Sequence, residues 1–214
     1  MGSPQVPYPL PKRLADKGIS GVLVVLLMPV FAIALAAIGV DKLLVRRDRG
    51  SWLYRETRIS RGEEFELLKF RTLRRDVLDR ARGAEAHARL LEADSGNLTW
   101  AGRRILKPWY LDELPQLLNV LGGDMSLVGP RPWPPSMVKD QVAAGYDYRK
   151  HAIAGWTGPA QVQKGVTKPA GYTDLDLAYV SACRHWRGAR LLRYDLGILW
   201  GTVKVMAKGE GLEY

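Results

Sequence analysis

The chain has 214 residues, of which 47% are hydrophobic and 25% charged, so it holds enough apolar material for a packed core and is not disordered throughout. Its single cysteine, Cys183, excludes an intramolecular disulfide and a multi-cysteine zinc or iron–sulfur site. The net charge of +10 indicates an anionic partner, which could be nucleic acid, an anionic membrane surface or a phosphorylated substrate.

An uncharged apolar run covers residues 18–40. As a helix it would be about 35 Å long, enough to span a bilayer. Pro29 lies in the middle of the run and has no N–H to donate, so the helix must kink there. Basic residues flank the run on both sides, which favours keeping both ends in the cytoplasm. We therefore predict a re-entrant helix that bends at Pro29, and a kinked spanning helix stays the alternative.

The remaining elements follow from periodicity and turn residues. Residues 51–56 and 63–72 are predicted strands around an Arg61-Gly62 turn, and residues 123–135 a loop. Helices are predicted over residues 76–92, 112–121, 173–186 and 191–208. The last mixes apolar and basic side chains, which suits a helix on a membrane surface, and a core-packed helix is left open.

The adjacent carboxylates Asp112 and Glu113 open the predicted helix over 112–121, which has leucines at helical spacing. Acidic residues at a helix start ordinarily serve as caps. The same end also presents free N–H groups to phosphate oxygens, and neighbouring helical residues point about 100° apart. One carboxylate could therefore face a phosphorus atom while the other holds Mg²⁺, which prefers oxygen ligands.

Two further groups of cations are candidates for phosphate binding. Arg131 stands between Pro130 and Pro132, and this restricted backbone would position its guanidinium for bidentate phosphate binding. Lys69 and Arg71 lie at the end of the second predicted strand. Taken alone, each of these two cations would ordinarily be a solvated surface charge.

Together these blocks resemble the bacterial sugar transferase family, the small monotopic phosphoglycosyl transferases. The similarity runs from about Lys12 to about Met206, in this order: Lys12-Arg13 with Asp16 before the proline-broken run, Lys69-Phe70-Arg71-Thr72, Leu111-Asp112-Glu113-Leu114-Pro115-Gln116-Leu117, Gly123-Asp124-Met125-Ser126-Leu127-Val128-Gly129-Pro130-Arg131-Pro132, Thr157-Gly158-Pro159-Ala160-Gln161-Val162, and Asp195-Leu196.

The resemblance implies an enzyme that moves a sugar-1-phosphate from a nucleotide diphosphate-sugar, with UDP the expected nucleotide, to a polyprenyl phosphate. Asp112 would be the nucleophile that forms a covalent phosphosugar intermediate, Glu113 the Mg²⁺ ligand and Lys69 a further active-site residue. Arg131 would bind phosphate, and Arg71 and Gln161 complete the predicted substrate-binding set. Pro29 would be the membrane bend.

The chain departs from the family pattern at three places. Met28 stands where the family usually has Ser before the breaking proline, residues 107–110 replace an Arg-Arg-Thr-Ser stretch, and the pattern around 152–162 is altered, with Pro159 in place of a Trp. The Asp112-Glu113 pair and Arg131 are kept. We therefore expect an active, divergent member and the minimal catalytic unit of the family.

The predicted fold class is α+β and mainly helical, with a cytoplasmic globular domain that has a small β-hairpin and amphipathic interfacial helices. The predicted segments are an N-terminal tail (1–11), the re-entrant helix (12–44), the catalytic domain (45–208) and a C-terminal tail (209–214). The expected location is the cytoplasmic face of the bacterial inner membrane, in contact with membrane lipids, where the enzyme would initiate a surface glycan. The oligomeric state stays open.

Two other functions are alternatives for this sequence. One is a basic, membrane-tethered module that binds nucleic acid or anionic lipid. Its cations should cluster on one helix or alternate with exposed aromatics, whereas here they are scattered, and we predict no nucleic-acid partner. The other is an inactive scaffold, which would be expected to lack the Asp112-Glu113 pair.

Overall fold

The computed structural model describes residues 4–84, 91–163 and 171–207. The α-helices with described bounds are α1 (Leu10–Leu26), α2 (Met28–Leu44), α3 (Arg75–Ala84), α4 (Gln116–Gly122), α5 (Pro135–Ala143), α6 (Pro159–Val162), α7 (Tyr172–His185) and α8 (Ala189–Ala207). The strands are β1 (Leu53–Ser60), β2 (Glu63–Phe70), β3 (Met125–Val128) and β4 (Ala154–Thr157). Short 3-10 turns cover Arg46–Asp48, Ser95–Asn97, Leu111–Glu113 and Tyr148–Lys150, and a π-helix covers Gly102–Leu106. The predicted mostly helical α+β fold with a small hairpin is confirmed.

The chain divides into two compact units. Among the described residues, the first contains residues 4–23, the segment Glu56–Leu67, and residues 116–163 and 171–207. The second contains Val24–Arg55 and Leu68–Pro115. Each unit is built around its own buried residues and is described separately below.

The apolar run forms two helices that meet at a break. α1 ends at Leu26 and α2 begins at Met28, with Pro29 in its first turn, where a missing N–H costs no helical hydrogen bond. Within the described residues, no single helix has the length and hydropathy to cross a bilayer; only the pair, bent by 60°, meets that requirement. The predicted break at Pro29 is therefore present in the chain.

β1 and β2 form the predicted hairpin, and β1 continues to Ser60 beyond the expected end at residue 56. Arg61 and Gly62 connect the strands with φ of 54° and 85°. Two consecutive positive φ values are typical of a type I′ turn, whose twist matches the flanking strands. Gly62 suits its position because glycine adopts positive φ without steric cost.

The prediction of a loop over residues 123–135 is wrong in its first half. Met125–Val128 forms β3, which pairs in parallel with β4, with Met125 opposite Ala154 and Val128 opposite Thr157. All four residues of β3 are buried. A four-residue strand covered on both faces has no apolar–polar alternation, so its sequence carries no strand signal.

The predicted helices near the C-terminus are confirmed. α7 and α8 match the expected helices over 173–186 and 191–208, except that Lys208 lies outside the described residues. α3 covers the start of the expected helix over 76–92, and residues 85–90 also lie outside the described part.

α8 has two different faces. Leu191, Asp195 and Ile198 are buried, while Leu196 and Trp200 are 53% and 61% exposed. One face of α8 therefore packs in the first unit, as the core-packed alternative expects, and the other face presents apolar side chains outward. A membrane contact for the outward face stays a prediction.

A buried polar network ties the start of α1 into the first unit. Lys12 Nζ lies 2.7 Å from Asp195 Oδ2 on α8 and 3.3 Å from the carbonyl oxygen of Val128 at the end of β3. Tyr179 on α7 donates to Asp195 Oδ1 at 2.7 Å, and Ser126 donates to Asp16 Oδ2 at 2.7 Å. One lysine and its partners thus join α1, β3, α7 and α8.

The second unit packs around α2. Ala34, Ala37 and Ile38 form a buried cluster with Phe70, Ala101, Leu106 and Leu114. Asp41 is also buried, and its Oδ2 accepts a hydrogen bond from the N–H of Ala101 at 2.7 Å. This bond fixes the end of α2 against the segment that leads to the π-helix.

We expect Lys12→Met to destabilise the protein by about 3 kcal/mol, because it leaves the Asp195 carboxylate buried without its cation. The free energy of unfolding in detergent or nanodiscs measures this effect. The matched control is Arg75→Met, which removes an exposed ion pair with Asp79 and should cost less than about 1 kcal/mol. Equal losses in the two variants would contradict the structural role of Lys12.

Candidate active site

Asp112 and Glu113 lie in a 3-10 turn that precedes an α-helix, so the prediction that they open the helix itself is wrong. The turn covers Leu111–Glu113, and α4 begins only at Gln116. Pro115 explains the difference, because it has no N–H and its ring disfavours the carbonyl four residues earlier, that of Leu111. Tyr110 enters the turn with a φ of 54°, the left-handed conformation that non-glycine residues seldom adopt.

The leucines of this segment also divide differently from the prediction. Leu114 and Leu117 are buried as expected, whereas Leu118 is 44% exposed. Gln116 and Asn119 are buried instead. The later start of the helix shifts which side chains face inward.

Asp112 belongs to a chain of polar contacts inside the second unit. Its side chain is almost fully buried, and its Oδ2 lies 3.1 Å from Lys107 Nζ. Lys107 Nζ also lies 2.6 Å from Glu92 Oε2, and Glu92 Oε1 accepts a hydrogen bond from Thr72 at 2.8 Å. One ammonium group is therefore shared between two carboxylates.

The pKa of Asp112 reflects these surroundings. Burial raises it, and the nearby carboxylates Glu113 and Glu92 raise it further. The positive charges of Lys107 and Lys69 oppose this, and the result is a pKa of about 6. Burial alone would lower the pKa of Lys107, but the charges of Asp112 and Glu92 outweigh it and raise that pKa.

The structure brings Lys69 and Glu113 close to Asp112. The charges of both residues shift the pKa of Asp112, and both side chains are half-buried. Lys69 lies near the end of β2. Arg71 has a different environment, because its buried guanidinium donates to the main-chain oxygens of Asp48, Ser51 and Leu73. These bonds favour a structural role for Arg71, and its binding of phosphate stays a prediction.

Arg131 and Gln161 lie in the first unit, each just beyond the carboxyl end of a strand of the parallel sheet. Arg131 follows β3, and Gln161 follows β4. The N–H of Gly129 donates to the carbonyl of Thr157 at 2.9 Å, which closes the sheet at this end. Ligands of open α/β sheets bind at the carboxyl ends of the strands, and we therefore take this edge as the candidate place for a substrate.

The loop that carries Arg131 is supported by a buried arginine. Arg149 donates to the carbonyl of Arg131 at 3.3 Å, stacks on the ring of Trp133 at 3.8 Å, and pairs with Asp176 at 2.6 Å. Both amide atoms of Gln161 are buried, and within the described ranges they have no hydrogen-bond partner. A buried amide of this kind gains from a ligand that supplies the missing bonds.

Sequence reasoning missed Lys107 and Glu92. In the sequence, residues 107–110 stand out only as a departure from the family pattern. A lysine five residues before a candidate nucleophile could nevertheless have indicated a contact with it. Glu92 lies 15 residues from Lys107, and nothing in its neighbourhood marks it.

The carboxylates present fit a magnesium ion only with help from a substrate. Among residues 4–84, 91–163 and 171–207, no group of three or more His, Cys, Asp or Glu side chains could hold a metal. Mg²⁺ usually binds one or two carboxylates and takes further oxygens from substrate phosphates and water. A single carboxylate such as Glu113 is sufficient for that arrangement.

Comparison with known proteins identifies the class to which this fold and site belong. The family model of the bacterial sugar transferases matches residues 8–209, and the chain belongs to this family.

Curated relatives of the chain have names that agree with this assignment. A UDP-glucose:undecaprenyl-phosphate glucose-1-phosphate transferase of Caulobacter vibrioides is 34% identical over 88% of this chain and 69% of its own length. An undecaprenyl-phosphate galactose phosphotransferase of Salmonella typhimurium is 35% identical over 78% of this chain but only 36% of its own length. An exopolysaccharide production protein of Rhizobium leguminosarum is 31% identical over 79% of this chain and 85% of its own length. The chain spans less than half of several relatives that it matches.

We expect Gly155→Ala to displace the Arg131 loop. A Cβ at residue 155 would lie 2.1 Å from the nitrogen of Gly129 and 2.5 Å from its Cα, and neither backbone atom can move freely. The expected loss of stability is about 1–3 kcal/mol or more, measured by thermal unfolding.

The control for this variant is Gly197→Ala on α8. There an added Cβ meets nothing within 4 Å, and alanine should stabilise the helix by up to about 1 kcal/mol. A Gly155→Ala protein that is as stable as the control would show that the close contact between the two glycines is not required.

Proposed function

We propose that this protein transfers a sugar-1-phosphate from a UDP-sugar to a polyprenyl phosphate and thereby initiates a surface glycan. The observation that carries the proposal is the Asp112-Glu113 pair, kept within a family match that covers nearly the whole chain. The names of the relatives agree, since they describe UDP-glucose and undecaprenyl-phosphate substrates.

In this proposal Asp112 is the nucleophile. Its carboxylate attacks the phosphorus that bears the sugar, and UMP leaves with the electron pair of the broken P–O bond. An oxygen of the polyprenyl phosphate then attacks the same phosphorus and releases Asp112. Two displacements through a covalent intermediate give ping-pong kinetics.

Glu113 is the proposed ligand of Mg²⁺, which would neutralise charge on the diphosphate. Lys69, half-buried within electrostatic reach of Asp112, adds a positive charge to the same site. Arg131 and Gln161 are the proposed phosphate and substrate contacts, because both follow the carboxyl ends of the parallel strands. A planar guanidinium suits two phosphate oxygens at once.

We also propose that α1 and α2 form a re-entrant membrane segment and that the catalytic residues work at the cytoplasmic face of the inner membrane. The support is the break before Pro29 together with apolar side chains that face outward, including Val25 at 65% and Leu26 at 68% exposure. A nucleotide-sugar is a cytosolic solute, while the phosphate of a lipid acceptor lies at the membrane surface. An enzyme that uses both must work at that interface.

The test of the reaction is to offer the purified protein, in lipid, a panel of UDP-sugars with polyprenyl phosphate and Mg²⁺ and to measure UMP release. We expect release with at least one sugar, and a covalent phosphosugar adduct when the acceptor is omitted. Asp112→Asn should lower turnover at least about 1,000-fold, because an amide cannot form the intermediate. Glu113→Gln should lower turnover and raise the Mg²⁺ concentration that is needed.

Two outcomes would contradict the proposal. An absence of UMP release with every donor would refute the reaction. Near-normal turnover by Asp112→Asn, with Lys139→Met as an exposed control, would leave the reaction but refute Asp112 as its nucleophile.

The topology has its own test, with single cysteines introduced at Gln5 and Gly209 in a Cys183→Ser background. We expect an impermeant thiol reagent to label both positions only from the cytoplasmic side, because both flanks of the apolar run are basic. Pro29→Leu should shift part of the population to a spanning form, since it restores the N–H that the break lacks. Labelling of position 5 from outside in the otherwise unchanged chain would refute the re-entrant segment.

A further inference from the structure

Lys107 is held more firmly than a surface lysine. Its ammonium lies between Glu92 Oε2 at 2.6 Å and Asp112 Oδ2 at 3.1 Å, and three quarters of its side chain is buried. Glu92 is fixed in turn, because its second oxygen accepts the hydroxyl of Thr72 at 2.8 Å. Thr72, which orients Glu92, follows closely after the end of β2 at Phe70.

The contact with Lys107 gives the two carboxylate oxygens of Asp112 different surroundings. Oδ2 lies 3.1 Å from Lys107 Nζ, and this contact distinguishes it from Oδ1. A carboxylate that attacks phosphorus uses one oxygen, and rotation about its side chain would exchange the two. A cation on one oxygen stops that exchange.

We propose that Lys107, anchored by Glu92, is a positioning residue that holds Oδ2 of Asp112 and leaves Oδ1 as the attacking atom. The proposal rests on the function proposed above. Oδ1 forms the bond to the sugar-bearing phosphorus, the bond from that phosphorus to the bridging oxygen breaks, and the nucleoside monophosphate leaves with the electron pair. Lys107 itself makes no bond to the substrate in this step.

The role of Glu92 follows from charge. Lys107 without Glu92 could still pair with Asp112, but its long side chain would be free to turn away from it. Glu92 prevents this by fixing the ammonium on the opposite side. Glu92 should therefore act only through Lys107.

The experiment measures the first half-reaction, in which UMP is released in a single turnover without acceptor, for Lys107→Met, Lys107→Arg, Glu92→Gln and the double variant Lys107→Met/Glu92→Gln. Lys107→Met should slow the step about 100-fold, the usual cost of a misplaced reacting group. The KM for the UDP-sugar should change less than about threefold, because no substrate contact is lost. Lys107→Arg, which keeps the charge, should recover most of the rate.

The double variant tests whether Lys107 and Glu92 act as one pair or independently. Glu92→Gln alone should slow the step about tenfold, and in the Lys107→Met background it should add no further loss. Lys139→Met on α5 is the control for the loss of an exposed lysine and should leave the rate unchanged. The Lys107→Arg and Glu92→Gln variants keep the test decisive if Lys107→Met fails to fold.

Three results would overturn the inference while the proposed reaction stands. These are wild-type rates in folded Lys107→Met, a loss that appears in KM rather than in the rate of the step, and additive losses in the double variant. A wild-type protein that releases no UMP from any donor would instead refute the proposed reaction, and with it the role of Lys107.

Discussion

The position of α1 in the first unit depends on the buried ion pair between Lys12 and Asp195. The two residues are 183 positions apart, and their contact brings the start of α1 to α8 and to the end of β3. Burial raises the pKa of Asp195, and the ammonium of Lys12 opposes that rise. A buried ion pair contributes little to stability unless further hydrogen bonds complete it, and the hydroxyl of Tyr179 donates one of these to Asp195. The helix that leads into the apolar run is thus anchored by polar chemistry at its first turn.

The same principle applies to a second buried ion pair of the first unit, between Arg149 and Asp176. Asp195 has Lys12 and Asp176 has Arg149, so each of these carboxylates is paired with a cation. The Arg149 pair supports the loop of Arg131 through a main-chain bond. These two ion pairs hold the secondary structure of the first unit in place. Asp195 does so directly, and the Arg149–Asp176 pair does so for the loop of Arg131.

Sequence reasoning succeeded where a local pattern is strong. Gly62 predicts the hairpin turn because glycine adopts positive φ without steric cost, and Pro29 predicts the helix break because it lacks an N–H. It failed where the cause is tertiary. The strand Met125–Val128 is too short and too fully buried to show an alternation of apolar and polar residues. The contact between Lys107 and Glu92 forms only when the chain folds, so no local pattern predicts it. The start of α4 is later than predicted, because Pro115 disfavours a helical hydrogen bond to the carbonyl of Leu111, and the spacing of the leucines does not show this.

Asp112 lies among charged groups of the second unit. Lys107 is shared between Asp112 and Glu92, Glu113 is a further carboxylate nearby, and the charge of Lys69 opposes the effect of the two carboxylates on the pKa of Asp112. Burial is the main reason that the pKa of Asp112 rises to about 6, and the two carboxylates add to the rise. A cation bound at Glu113 would favour the ionised form of Asp112, which is the form that a nucleophile needs. The proposed Mg²⁺ and the proposed carboxylate nucleophile would therefore work together, with Lys107 keeping one oxygen of Asp112 in place.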